Sequence, residues 1–262
     1  NTFGCTATSS VNIFVNPTPT APTITPGGAT TFCLGGSVGL TASSANATPT
    51  YSWSPAAGLN TAIGSAVIAT PAVTTTYTVT VSIPGGCTAT SSITVTVNFA
   101  PVPTIVGGPT TFCFGGSVTL NATGPYVSYG WSPAAGLNTI TGPVVVASAS
   151  GTYTVAVTNS NGCTNSSSVV VTVNPLPTAP AITLVGTVPI CDNNTVSVTL
   201  NAPPIPIGSS YQWNDFNGAT TEDYTVFGND ITLLAFGSPY LFNVTVTDAN
   251  GCTAFDDVMV TV

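Results

Sequence analysis

The chain has 262 residues, eight Asp or Glu, and no Lys, Arg or His, for a formal net charge of −8. Without cations it cannot neutralise phosphate, which excludes nucleic acid as a partner, and it has no basic patch for an anionic membrane surface. Nucleophile–base catalysis, which rests on His or Lys, is excluded with them, and the apolar runs, each broken by Thr, Gly or Pro, are too short to span a bilayer as helices.

All eight acids (Asp192, Asp215, Glu222, Asp223, Asp230, Asp248, Asp256 and Asp257) lie beyond residue 191. No salt bridge can hold the first 191 residues, so their stability should vary little with salt or pH. Val and Thr favour strands, whereas Gly, Pro and Asn favour turns. With 43% hydrophobic residues in regular alternation, the chain reads as all-β rather than disordered. At about 100 residues per sandwich this length suits two to three domains. No secretory leader is recognisable, and the pattern starts in mid-repeat, so a mature or excised piece is expected.

Residues 1–16 are the first element. Gly4-Cys5-Thr6-Ala7-Thr8-Ser9-Ser10 matches Gly86-Cys87-Thr88-Ala89-Thr90-Ser91-Ser92, the start of a last strand further on. This segment is an orphan strand, either the end of a preceding repeat or a donor strand for a neighbouring subunit.

Repeat 1 spans 17–98, repeat 2 spans 99–174 and repeat 3 spans 175–262. Phe32-Cys33-Leu34-Gly35-Gly36-Ser37-Val38 recurs as Phe112-Cys113-Phe114-Gly115-Gly116-Ser117-Val118 and, loosely, as Ile190-Cys191-Asp192-Asn193-Asn194-Thr195-Val196. The block from Trp53 to Asn60 recurs unchanged from Trp131 to Asn138, and Trp213 marks the third copy. Each repeat closes on an aromatic, an alternating strand and a Gly-Cys: Tyr77 to Cys87, Tyr153 to Cys163, Phe242 to Cys252. Fixed-period self-similarity of this kind marks an array.

In repeat 2 the expected strands are B at 117–122, C at 128–132, E at 144–148, F at 152–158 and G at 168–173. The F–G turn is Asn159 to Gly162, where Asn-Gly tolerates positive φ. The alternation of Val155, Val157, Val169, Val171 and Val173 buries one face. Trp53, Trp131, Trp213, Tyr77, Tyr153 and Phe242 are the expected core anchors, with Tyr153 at a tyrosine corner. The fold class is therefore all-β, with tandem immunoglobulin-like (PKD-like) Greek-key β-sandwich repeats. The Pro-rich linkers at 16–19, 99–103 and 174–177 are semi-rigid spacers that suggest an elongated rod.

The Cys-x-Gly-Gly-Ser-Val block, the Trp-Ser-Pro block and Tyr-Thr-Val-x-Val followed by Gly-Cys-Thr resemble PKD-like and Ig-like repeats of very large Bacteroidota surface proteins. These include gliding-motility adhesins and other type 9 secretion substrates. The resemblance covers essentially the whole chain. It implies cell-surface display and adhesion, and it carries over no catalytic residue.

The seven Cys contain no CxxC motif, and no His could complete a zinc site. Disulfides and an oxidising, extracellular compartment follow. Counting favours pairs within repeats: Cys33–Cys87, Cys113–Cys163 and Cys191–Cys252. Strand direction favours another scheme. In an immunoglobulin-type order strands B and F run the same way, so a Cys before B and a Cys after F lie at opposite ends of the sandwich. An eight-residue strand spans roughly 25 Å, and bridged Cα atoms lie about 4.4–6.8 Å apart. Pairing across modules then joins Cys33 to Cys163 and Cys113 to Cys252, and leaves Cys5, Cys87 and Cys191 for partners outside the chain.

The remaining candidates are weaker. Asp248, Asp256 and Asp257 could form a Ca²⁺ site or a solvated acidic turn; no other cofactor is expected. Asn46, Asn121, Asn165, Asn193 and Asn243 fit the N-glycan acceptor pattern. The Gly pairs at 35–36 and 115–116 are turns rather than phosphate loops. The function expected is a non-catalytic, disulfide-stapled stalk of an extracellular adhesin or surface filament, with neighbouring repeats or further copies as partners. The alternatives are a filament subunit polymerising through residues 1–16, and a carbohydrate-binding accessory module that takes surface glycans.

Overall fold

The structure is a computed structural model. It describes residues 8–13, 15–185, 197–201, 205, 207–213, 223–227 and 240–260. Every regular element among the described residues is a strand.

In the first repeat the strands are β1 (Thr23–Pro26), β2 (Thr31–Cys33), β3 (Val38–Ser43), β4 (Thr50–Ser54), β5 (Ala66–Ala69), β6 (Thr75–Ser82) and β7 (Thr88–Asn98). They form two sheets, ordered β1-β3-β5 and β2-β7-β6-β4. All pairings are antiparallel except β2 with β7, which is parallel and sets Thr31 opposite Thr96 and Cys33 opposite Asn98. This is the strand order of an immunoglobulin-like sandwich, with β2 as the extra strand that switches sheets.

Period-2 alternation decides what is buried. On β3, Val38, Leu40 and Ala42 point inward and the residues between them point out. Together with Trp53, Val67, Ala69, Tyr77, Val79 and Val95 they form the core.

The second repeat repeats the plan with β8 (Thr104–Gly107), β9 (Thr111–Cys113), β10 (Val118–Thr123), β11 (Ser128–Ser132), β12 (Val144–Ala147), β13 (Gly151–Thr158) and β14 (Thr164–Asn174). The sheet orders are β12-β10-β8 and β11-β13-β14-β9. In the third repeat, β15 (Thr183–Val185), β16 (Ser197–Asn201) and β18 (Asp223–Phe227) form one sheet. Its other sheet has the order β17 (Ser210–Trp213), β19 (Tyr240–Thr247), β20 (Thr253–Val260).

Two features differ from the sequence reading. The sequence reading has no strands ahead of B, whereas the structure has β8 and β9; neither buries an alternating apolar face that would mark it. The last strand β14 begins at Thr164, ahead of the expected 168, because its polar first half pairs on backbone hydrogen bonds without apolar patterning.

The chain divides into two compact units. One holds 1–102, 125–127 and 157–165; the other holds 103–124, 128–156 and 166–262. The first unit thus includes the turn between β13 and β14.

Candidate functional site, the cysteine junctions

The recurrent Trp53–Asn60 block acts as an internal brace. The Trp53 indole donates to the Gly64 carbonyl at 3.1 Å, and Trp131 repeats this to Gly142 at 3.0 Å. The buried Tyr77 hydroxyl donates to Ala57 O at 2.9 Å, and Tyr153 lies 3.1 and 3.0 Å from the carbonyls of Ala135 and Ala149. Asn60 and Asn138 accept the backbone N–H of Ile68 and Val146 through Oδ1, each at 2.7 Å. In the sequence these Asn stand out only as part of a repeat. Their unchanged recurrence was the available signal. Trp213 and Phe242 are also fully buried.

Burial raises the Tyr77 pKa above its usual value of 10, against a smaller lowering by a hydrogen bond with Thr75. The folded state therefore holds this proton more tightly than the unfolded chain. The associated stability is complete below about pH 10 and is lost as pH rises through the folded value. Urea titrations of the first sandwich should give a constant midpoint from pH 6 to 9 and a falling one above 10. Tyr77→Phe should flatten the alkaline limb; an unchanged slope would reject the assignment.

The cysteines meet at the ends of the sandwiches. Cys33, at the end of β2, is bonded to Cys163, with Cα atoms 5.7 Å apart. Cys113, at the end of β9, is bonded to Cys252, with Cα atoms 5.5 Å apart. The within-repeat pairs Cys33–Cys87 and Cys113–Cys163 are therefore absent. Strand direction is the physical reason: the end of β2 and the β6–β7 turn of one sandwich are a strand length apart. Cys87 is a half-buried free thiol. Cys5 and Cys191 lie outside the described residues.

The three turns that present Cys87, Cys163 and Cys252 share one backbone pattern. Ile83 N donates to Cys87 O, Asn159 N to Cys163 O, and Asp248 N to Cys252 O. Gly86, Gly162 and Gly251 each donate back to the first residue of the turn. In the Asn161-Gly162 pair only Gly162 has positive φ, at 79°. Asn159 instead works as an acceptor: its Oδ1 takes the N–H of Asn161 and Cys163, both at 3.0 Å. Asp248 Oδ1 does the same for Asn250 and Cys252 at 2.8 Å. Local Asx bonding therefore holds both bonded cysteines in place.

The turn of the second repeat also grips the linker ahead of it. Asn159 Nδ2 donates to Phe99 O at 3.0 Å, and Asn165 Nδ2 to Pro101 O at 2.8 Å. In the other unit, Ile182 N donates to Asp256 Oδ2 at 2.8 Å.

These bonds account for the acidic candidates. Asp248 secures its turn and Asp256 holds the chain at Ile182. Asp257 is the next residue on β20, where neighbouring side chains face opposite ways. Among the described residues no set of three carboxylates or cysteines comes together to hold a metal. Asn46 and Asn165 spend their amide N–H groups in hydrogen bonds, Asn46 to the Thr20 carbonyl at 3.3 Å and to Ser44. Asn121 lies on β10, the central strand of its sheet, and Asn243 on β19. Asn193 lies outside the described residues.

Residues 19–101 match the family model of the Ig-like domain CHU_C associated. Among solved structures, the chain is similar to a bacterial ice-binding adhesin of 1.5 MDa involved in host cell surface retention. That likeness has 16% identity, 92% of this chain and 97% of the other covered, and a TM-score of 0.39. It is also similar to a Ca²⁺-stabilized adhesin of an Antarctic bacterium (19% identity, 93% and 74% covered, TM-score 0.38). A third is Drosophila OTK extracellular domains 3–5 (12% identity, 94% and 96% covered, TM-score 0.34). No curated protein matches. The fold assignment rests on the sheet orders above.

Proposed function

We propose that the chain is a non-catalytic structural spacer in the stalk of an extracellular adhesin or surface filament. The observation that carries this reading is the placement of the disulfides. Each joins the start of one sandwich to the β-turn that closes the next, so covalent links run along the array in parallel with the linkers. Disulfides of this kind persist in oxidising compartments, which supports an extracellular location. The absence of Lys and Arg leaves trypsin no cleavage site, which suits exposure outside the cell. The Bacteroidota adhesin style belongs to this proposal, supported by the match of 19–101.

Polymerisation by strand donation is a second reading. It is favoured by Val11, Ile13 and Val15, which alternate along residues 8–16 and are more than four-fifths exposed. Sugar stacking gains no support from Trp53, Trp131 and Trp213, which are all buried.

Immunogold microscopy with an antibody to this chain tests the location. Gold on filaments or on the outer surface of intact cells is the expected result. Antigen confined to the interior of permeabilised cells would overturn the proposal.

A further inference from the structure

Cys87 has no disulfide partner, although the turn around it has the same backbone bonds as those of Cys163 and Cys252. We propose that Cys87 is the receiving half of a third junction. Its partner is the cysteine ending a β2-type strand in a further sandwich of this repeat type, and residues 8–16 supply that sandwich's last strand. The inference rests on the serial-array reading and deepens it.

The first support is a shared local geometry. In the bonded junction, Cys163 Sγ lies 3.8 Å from the carbonyl oxygen of Asn98, the residue opposite Cys33 in the β2–β7 register. Aligning Gly4-Cys5 with Gly86-Cys87 puts Asn16 at the place of Asn98. The Cys87 thiol donates to the Asn16 carbonyl at 3.6 Å. The turn holds Asn16 a second time, its Nδ2 donating to Gly85 O at 3.5 Å. A side chain at Gly85 would meet this amide, since a Cβ there would lie 2.5 Å from Nδ2. Thus the place where a β2-type cysteine would enter is laid out beside a free thiol.

The second support is independent of any cysteine. The same alignment puts Val11, Ile13 and Val15 at the places of Ile93, Val95 and Val97. Val95 and Val97 are buried, at 0% and 5% exposure, whereas Ile13 and Val15 are 82% and 85% exposed. The segment thus carries the apolar face of a last strand, and a sandwich lacking that strand is the surface it fits. In such a sandwich the β2-type strand would run parallel to residues 14–16, as β2 runs along Thr96–Asn98, which brings its terminal cysteine to Asn16 and Cys87.

Closure of the bond oxidises two thiols. Each sulfur loses one proton, and the two electrons pass to a disulfide-bearing thiol oxidoreductase, which is reduced to its dithiol.

The test duplicates residues 17–85 ahead of Gly4 in the otherwise unaltered chain, so that residues 4–16 complete the added sandwich. After refolding with oxidised and reduced glutathione, non-reducing pepsin mapping should show a peptide joining the added copy of Cys33 to Cys87. Iodoacetamide labelling of Cys87 should fall at least tenfold. Full labelling of Cys87 with Cys33–Cys163 intact would overturn the third junction alone. Failure of Cys33–Cys163 in a folded chain would overturn the array reading, and this inference with it.

If the added sandwich does not fold, judged by chymotrypsin resistance, a second measurement decides. The unaltered chain is incubated with a peptide of residues 28–37 whose cysteine carries a 2-thiopyridyl disulfide. Cys87 attacks the peptide sulfur and expels pyridine-2-thione. Labelling of Cys87 at least tenfold faster than by a scrambled peptide supports the junction, and equal rates overturn it.

Discussion

Stretched from end to end, the oxidised chain should extend to about 300 Å, and the reduced chain to about 900 Å, at roughly 3.4 Å per residue. The loops closed by Cys33–Cys163 and Cys113–Cys252 overlap. The shortest covalent route therefore follows the chain to Cys33, crosses to Cys163, returns backwards to Cys113, crosses to Cys252 and continues to the end. That route has about 90 residue steps, against about 260 for the open chain. Unfolding under load can release only this length while both bridges hold. Single-molecule pulling with and without dithiothreitol measures it directly. Cys163→Ser or Cys113→Ser alone should give an intermediate limit of about 400–450 Å. Extension to about 900 Å without reductant would show that neither bridge is closed. Each bridge also closes 130 or more residues, for which chain-entropy reasoning gives a stabilisation of about 5 kcal/mol.

Gly58→Ala should destabilise the first sandwich by about 2–5 kcal/mol. Gly58 sits at φ +78°, where an L side chain is strained by about 1–2 kcal/mol. A Cβ there would also lie 2.7 Å from the Tyr77 hydroxyl and 2.9 Å from the Pro71 Cα. Neither neighbour can retreat easily. The Pro71 atom is backbone, and the hydroxyl is buried and held by Ala57 O. Displacing it leaves a buried donor unpaired, at about 1–3 kcal/mol. Gly136→Ala should behave alike, because its Cβ would lie 2.5 Å from the Tyr153 hydroxyl and 2.6 Å from the Ala149 Cβ. Gly64→Ala is the control: its φ is +104°, but the space around it is open. Urea unfolding compares the three. A Gly58→Ala cost no greater than that of Gly64→Ala would remove the close-packing argument.

These two results draw on different kinds of information. The repeats were legible in the sequence because a sandwich strand must alternate and a buried anchor must recur at the same place in each copy. Val155, Val157, Trp53 and Tyr77 could be assigned inward positions from period and repetition alone, and they are buried. The first short strands, β1, β2, β8 and β9, were not legible, since none of them buries an alternating apolar face. Nor did the sequence reveal that the Gly and Asn of the Trp53–Asn60 block brace a tyrosine and a neighbouring strand. That role depends on atoms brought together from distant positions.

The cysteines mark the division most clearly. By itself, the sequence determined that they recur at two places per repeat and that the first 191 residues can use no salt bridge. It left two pairing schemes open, because spacing along a chain does not say which ends of adjacent sandwiches meet. Only the tertiary structure decided this, by bringing the Cα atoms of Cys33 and Cys163 to 5.7 Å and those of Cys113 and Cys252 to 5.5 Å. Strand direction governs the outcome: parallel-running strands carry their end cysteines apart within one sandwich, and a turn of the next supplies the partner within bonding reach.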